Sequence, residues 1–388
     1  MRQSRGRRNG LSPEPARRHP GPDVVDRRCT IRAAIATEAH QPLSVEEISL
    51  AAPTSTQVVV RMAAAGLCHS DLNALEGRTT PAGWPLIPGH EGYGTVEWAG
   101  ADATSVRVGD RVLFTFVGSC QACYWCLRGE QHLCTSFRTA PTPKGHRGDT
   151  PVYGHAGLGA FAEQALVDHR SLVTIDSDLP ASQLALISCG VATGASAVER
   201  CANLDAAGSI AVLGCGGVGQ AAIQAARILG ATTIVALDPS PSRREYGLTF
   251  GATHAFDPLD PATAAAVKDL TGGRGVDSVI EAVGRQSVAQ NGFEILRRGG
   301  TMVLIGSSGP GETAGWSIYE QMVDAKRVVG SLYGNAHPRR DFARLAALAE
   351  SGSLDLASMV SAELPLDRIN DAVSALHHGE GLRTVLVF

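Results

Sequence analysis

SIAVLGCGGVGQAAIQAARILG, residues 209–230, joins a short apolar run to a glycine-rich turn and then to a stretch with helical spacing. Alone, a G-x-G-x-x-G pattern is weak evidence. Set between an apolar run and a helical pattern it specifies a strand, a tight turn and a helix that share one core. Gly214 permits the turn, Gly216 lets backbone approach a pyrophosphate, and Gly219 lets helix and strand pack closely. The helix N-terminus at Gly217 and Val218 offers N–H groups to the anion. Asp238 ends the next apolar run, TTIVALD, where a carboxylate can accept hydrogen bonds from an adenosine ribose. The rival reading is a glycine turn that serves packing alone, and the strand–turn–helix context argues against it.

Working outward, the same texture continues in GVDSVIEAVG, GGTMVLIG and RVVGSLYG, so apolar strands alternate with helical stretches from about residue 192. That alternation predicts an α/β domain with a doubly wound parallel sheet. Between Ile31 and about Arg170 the chain instead strings short β-type runs, such as TQVVVRM and GYGTVEWAG, between Gly and Pro, which predicts a β-rich domain. A helical segment, DFARLAALAESG, and a final strand, RTVLVF, close the chain. The expected boundaries are 31–190 with 335–388 for the β-rich domain and 191–334 for the nucleotide-type domain. At 388 residues the chain is long enough for two cores.

Composition excludes several classes. A formal charge of -4, with basic residues interleaved among acids, leaves no electrostatic footprint for nucleic acid. With 44% hydrophobic and 19% charged residues and no run of eighteen apolar residues, a membrane span is not expected. Residues 1–30 differ from the rest: Arg2, Arg5, Arg7, Arg8, Arg17, Arg18, Arg27 and Arg28 face only Glu14, Asp23 and Asp26, which reads as a disordered, dispensable tail. No apolar signal core precedes the body, so a reducing, cytoplasmic compartment is expected.

Four of the nine cysteines, Cys120, Cys123, Cys126 and Cys134, fall in the spacing C-x2-C-x2-C-x7-C. Four soft thiolates suit one tetrahedral zinc ion with no open position, which would hold a loop and catalyse nothing. Disulfides conflict with the compartment, a lone C-x-x-C redox pair leaves two thiols unexplained, and the last interval is longer than in the bacterial ferredoxin pattern. Cys29, Cys201 and Cys215 have no partner at metal spacing and read as structural or free thiols.

GLCHSD (Cys68 to Asp71), GHEG (His90, Glu91) and ISCGVATG (Cys189) are unconvincing separately. In order with the cysteine cluster and the glycine loop, they resemble the zinc-dependent alcohol dehydrogenases of the medium-chain dehydrogenase/reductase superfamily, with a texture similar to actinobacterial members. The resemblance spans about Ile31 to Phe388 and implies a GroES-like catalytic domain beside a Rossmann domain. It also implies that Cys68, His90 and Cys189 bind a catalytic zinc with an open fourth position, a ligand set taken over from the family. Two zinc ions per chain and NAD follow as cofactors. Zinc would lower the pKa of the alcohol oxygen while a hydride moves from the alcohol carbon to the nicotinamide.

Other roles come by the same route. Glu91 resembles the acid behind the metal, and Asp71 the carboxylate that receives the other ring N–H of His90 and fixes its tautomer. Ser70 resembles the hydroxyl that takes the alcohol proton; an N-cap is its bland alternative. Arg383 matches a terminal phosphate-contacting arginine, Arg243 a basic residue near the adenosine ribose, and Phe116 and His155 pocket walls. Two positions depart from the pattern. Asn73 stands where the proton relay usually ends in a histidine, and an amide is no base at neutral pH. His69 stands where many members carry a phosphate-binding arginine, and could donate to pyrophosphate.

The expected activity is thus NAD-dependent interconversion of a primary or aromatic alcohol and its aldehyde by a homo-oligomer, dimer or tetramer. A formaldehyde dehydrogenase acting on a thiol adduct, and a non-catalytic zinc protein that binds NAD(H), are the alternatives.

Overall fold

The computed structural model describes residues 29–79, 81–137, 141–307 and 309–388. The tail expected over residues 1–30 lies outside the described residues except for Cys29 and Thr30. Thr30 already opens the first strand, Thr30–Ile35, which pairs antiparallel with Ser44–Leu50.

The quoted stretch forms the strand Ser209–Leu213 and the helix Gly217–Ile228. Every residue of that strand is buried, as a parallel strand covered on both faces must be. It sits inside a six-stranded parallel sheet ordered His254–Phe256, Thr233–Leu237, Ser209–Leu213, Val276–Glu281, Leu296–Leu304 and Arg327–Gly330. From Ser209–Leu213 the chain winds first to one edge and then back to the other. The order therefore reverses between Ser209–Leu213 and Val276–Glu281, and the crevice at the carboxyl ends of those two strands is where such sheets bind ligands.

The β-rich part contains two sheets. One orders Thr30–Ile35, Ser44–Leu50, Gly145–Arg147, Thr150–Gly154 and Leu86–Ile87. The other runs Leu172–Thr174, Arg111–Phe114, Glu91–Ala99, Gln57–Gly66, Arg383–Val387 and Val360–Pro365, with Gln164–Asp168 also paired to Gln57–Gly66. The pairing of Val385 with Gly66 returns the end of the chain to the β-rich part and delivers Arg383 to the crevice side of it.

One continuous helical stretch, Ala181–Arg200, is long and apolar enough to cross a membrane by length and composition, but most of it is buried inside the molecule. It is a core helix: Leu184, Val191 and Ala195 share one apolar cluster with Ile210, Ile223 and Phe342. Gly194 lies so close to the backbone of Val218 that any side chain there would collide, which pins this helix to the start of the glycine-loop helix.

Candidate active site and metal centres

Cys68 follows the strand Gln57–Gly66 and caps the short helix His69–Leu75. The helix start is held by Cys68 as its cap together with Asp71, whose Oδ2 accepts the backbone N–H of Cys68 at 3.2 Å, so Ser70 does not serve as the N-cap. Asp71 is fully buried, and its Oδ1 also accepts from the backbone of Gly89 at 2.9 Å. Two imidazoles converge on the same oxygen, His90 Nδ1 at 3.0 Å and His155 Nδ1 at 2.6 Å. Burial opposes a charge on Asp71, but His90 and His155 outweigh it and hold the carboxyl well below the usual range.

His90 is buried immediately before the strand Glu91–Ala99. Cys189 lies in a π-helical turn, Ile187–Val191, set within the Ala181–Arg200 stretch. Such turns interrupt the regular ladder and often sit at functional sites. The ligand atoms of Cys68, His90, Glu91 and Cys189 all lie within 4.8 Å of one another. Cys189, then His90, pull the Cys68 thiol well down against its burial, whereas sharing with Cys68 and burial push Cys189 up. A bound cation would favour the thiolate of both.

Glu91, fully buried, accepts the N–H of Gly190 at 3.3 Å and pairs with Arg383. Burial pushes its carboxyl up to about 7 while Arg383 pulls the other way. Arg383 also donates to the carbonyl of Leu67 at 3.1 Å, and its Nε is buried without a partner. A side chain at Gly217 would meet Arg383, so the guanidinium spans the space between the Cys68–Cys189 cluster and the glycine loop. An unpartnered buried cationic nitrogen beside open helix N–H groups fits a bound phosphate.

At the other end of the loop, Asp238 is buried and accepts N–H from Cys215 at 2.8 Å and from Ser240 at 2.9 Å. Arg243 Nη1 stands 3.9 Å from Asp238 Oδ2. Neither Arg243 nor Arg244 points into solvent after the proline-rich turn; both side chains are 22% exposed. Arg244 is spent on the carbonyls of Asp238 and Pro239, at 2.7 and 2.9 Å. His69 is exposed at the start of its helix, within electrostatic reach of Arg243 and Arg383.

Ser70 Oγ lies 3.9 Å from Cys68 Sγ and lines a cavity of about 310 Å³ together with Asn73, Thr79, His155, Ala156 and Ser307. Asn73 has a use that sequence reading missed: its Nδ2 donates to the carbonyl of Ser307 at 2.9 Å, tying the Cys68 helix to the loop after the strand Leu296–Leu304. Phe116 packs edge-on to His90, 6.0 Å between ring centres, and against Tyr333 at 4.2 Å. Tyr333 also went unread. Its phenol donates to the carbonyl of Ser188 from a backbone at φ 60, and a left-handed tyrosine leaves no mark in sequence.

The second cysteine cluster fits a metal by geometry. Zinc–sulfur bonds of about 2.3 Å at tetrahedral angles imply sulfur atoms about 3.8 Å apart. Cys123 and Cys134 stand 3.9 Å apart, and Cys120 and Cys126 stand 4.0 Å apart. A disulfide needs about 2.05 Å, so neither of these pairs is bonded. Hydrogen bonds from Ser136 and from the backbone of Ala122 and Cys123 draw the Cys120 thiol down to about 5, and backbone donors at Cys126 and Thr135 draw Cys123 down to about 7. Burial pushes Cys126 up to about 12, a thiol that would ionise only with a cation beside it.

Comparison with known proteins identifies the family. Residues 54–177 match the family described as alcohol dehydrogenase GroES-like domain, and residues 217–351 match zinc-binding dehydrogenase. Across 92% of its length the chain is 34% identical to the NDMA-dependent alcohol dehydrogenase of Amycolatopsis methanolica, covering 98% of that protein. It is 33% identical to the S-(hydroxymethyl)glutathione dehydrogenase of Photobacterium damsela subsp. piscicida, covering 92% of this chain and 99% of that one. The crystal structure of benzyl alcohol dehydrogenase from Acinetobacter calcoaceticus superposes with a TM-score of 0.85 at 28% identity, over 92% of this chain and 99% of that one. The chain therefore belongs to the zinc-dependent alcohol dehydrogenases of the medium-chain dehydrogenase/reductase superfamily, enzymes of alcohol oxidoreduction that use zinc and NAD.

Proposed function

We propose that this enzyme interconverts a primary or aromatic alcohol and its aldehyde by hydride transfer with NAD, using Cys68, His90 and Cys189 to hold a catalytic zinc. Cys120, Cys123, Cys126 and Cys134 hold a second, structural zinc. When bound, the catalytic ion supplies Lewis acidity towards the alcohol oxygen. Asp71 fixes the tautomer of His90, Glu91 balances Arg383 behind the ligands, and Ser70 Oγ receives the alcohol proton. Gly214, Gly216, Gly217, Val218 and Gly219 face the pyrophosphate with Arg383 and His69, and Asp238 with Arg243 faces the ribose. The observation that carries this reading is the convergence of the Cys68, His90 and Cys189 ligand atoms beside the Ser70 cavity. Asn73 is bound to Ser307, so the proton leaves Ser70 without it.

Metal analysis is expected to return two zinc ions per chain, and alcohol is expected to raise the absorbance of reduced nicotinamide. One zinc, or an iron–sulfur absorption band, would overturn the assignment of the thiolate cluster. The relative named for S-(hydroxymethyl)glutathione favours a second reading, oxidation of a formaldehyde–thiol adduct. Formaldehyde turnover that requires a low-molecular-weight thiol would select it.

NAD rather than NADP is the expected partner because Asp238, at the ribose end of the loop, would repel a 2′-phosphate. Asp238→Ser is expected to shrink the NAD-to-NADP ratio of kcat/KM by about tenfold or more. Equal efficiency with both coenzymes in the unaltered protein would refute the role of Asp238.

The domain division we assign is 31–190 with 335–388 around 191–334. A homo-oligomer, dimer or tetramer, is supported by the exposed Ile318, Tyr319 and Met322 on the helix Ile318–Asp324. They lie next in sequence to Arg327–Gly330, the last strand of the parallel sheet among the described residues. A monomer in sedimentation would contradict that assignment.

A further inference from the structure

Cys189 sits between two peptide groups that are both gripped from outside its own helix. On one side, the N–H of Gly190 donates to Glu91 Oε1 at 3.3 Å. On the other, the carbonyl of Ser188 accepts from the phenol of Tyr333. The turn Ile187–Val191 is π-helical, so its ladder is shifted by one residue against the α-helical segments on either side, Ala181–Leu186 and Ala192–Arg200. At such a shift, the direction of the side chain it carries depends on what else bonds the neighbouring peptide groups.

Tyr333 is held in place at a conformational cost. It is 3% exposed, and after the strand Arg327–Gly330 the residues Tyr333, Gly334 and Asn335 are all left-handed, at φ 60, 67 and 53. A left-handed tyrosine persists only where the surrounding structure over-determines it, and such strain points to a task. The surroundings do so here. The N–H of Ser331 donates to the carbonyl of Leu304 at 3.0 Å, and the Ser331 hydroxyl donates to Asn335 Oδ1 at 3.2 Å. A side chain at Gly334 would collide with the carbonyl of Thr193, so the turn is pressed against the helical stretch that carries Cys189.

Ring and hydroxyl have separate contacts. The ring lies tilted on Phe116, 4.2 Å between centres, and Phe116 stands edge-on to His90. Phenylalanine would serve that packing equally well. Only the hydroxyl reaches the Ser188 carbonyl, next to Cys189.

We propose that Tyr333 is a positioning residue: its hydroxyl, with Glu91 on the opposite side, fixes the peptide groups that flank Cys189 and so holds the Cys189 sulfur in place beside Cys68 and His90. This rests on the assignment of Cys189 as a ligand of the catalytic zinc and adds a group that sets its geometry. Groups that hold a ligand without touching the metal typically carry about tenfold or more of metal affinity or activity.

Tyr333→Phe keeps the ring on Phe116 and removes only the donor. With cobalt(II) at the catalytic site, the thiolate-to-metal charge-transfer band of this variant is expected to shift. Release of the catalytic ion to a chelator is expected to quicken about tenfold, while release from Cys120, Cys123, Cys126 and Cys134 stays within about twofold. Tyr333→p-aminophenylalanine returns an N–H donor to the same place and is expected to restore most of both signals. All three proteins are compared below their melting transitions, so a change in stability alone moves neither readout. Unchanged cobalt bands and release rate in Tyr333→Phe would overturn the proposal, whatever happens to turnover. Failure of the amino ring to restore them would overturn it too, because the donor would then not be what matters. Unaltered protein that binds no metal at Cys68, His90 and Cys189 would overturn the zinc assignment itself.

Discussion

His90→Ala is expected to lower kcat/KM for alcohol oxidation by at least about a thousandfold while NADH affinity stays within about threefold. The imidazole is buried on Asp71 and is the one nitrogen ligand in a group otherwise made of sulfur and carboxylate atoms. Removing it takes away one of three proposed zinc ligands and leaves an opening in which water replaces a fixed donor. Lewis-acid stabilisation of an alkoxide is worth several kcal/mol, and each 1.36 kcal/mol is tenfold in rate. The glycine loop and Asp238 are untouched, so coenzyme should still bind. Stopped-flow fluorescence of NADH, zinc content and steady-state rates test the three parts together. Retained turnover with a single zinc would refute the assignment of the catalytic ligands, and loss of both zinc ions would show that the two sites are not independent.

Cys126→Ser is expected to act in the other direction, lowering the melting temperature by about 10 °C and stripping one zinc. Cys126 is the ligand of the cluster that burial most disfavours as a free thiolate. Its lobe, residues 118–134, has only short helical turns, Tyr124–Leu127 and Gln131–Leu133, to hold it. Leu127 and Leu133 are exposed, so little apolar burial compensates for a lost metal. Metal binding here is folding free energy, of the order of several kcal/mol for a local lobe. In the fraction that keeps its fold, turnover per catalytic zinc should be close to the unaltered value. A normal melting curve with one zinc missing would mean that packing alone holds the lobe. A loss of activity larger than the loss of folded protein would mean that the lobe shapes the active site.

Much of this protein is determined by local pattern. The strand, turn and helix of residues 209–230 follow from an apolar run, three glycines and helical spacing, because each glycine answers a purely local demand of backbone conformation or close approach. The thiolate cluster is equally legible, since four ligands within fifteen positions need only a short loop to meet. Cys68, His90 and Cys189 are different. They lie at three separate places, a helix cap, the residue just before a strand and a π-helical turn, and only packing of the Ala181–Arg200 helix against the strand core brings them together. Resemblance could name them, but no spacing could. Asn73 showed in sequence only what it lacks, a basic nitrogen, while its bond to Ser307 depends on a partner more than two hundred residues away. His155 could be placed only near a wall. That it shares one carboxylate oxygen with His90 was decided by tertiary structure, because hydrogen-bond partners of a buried ring are set by distance in space and not by distance along the chain.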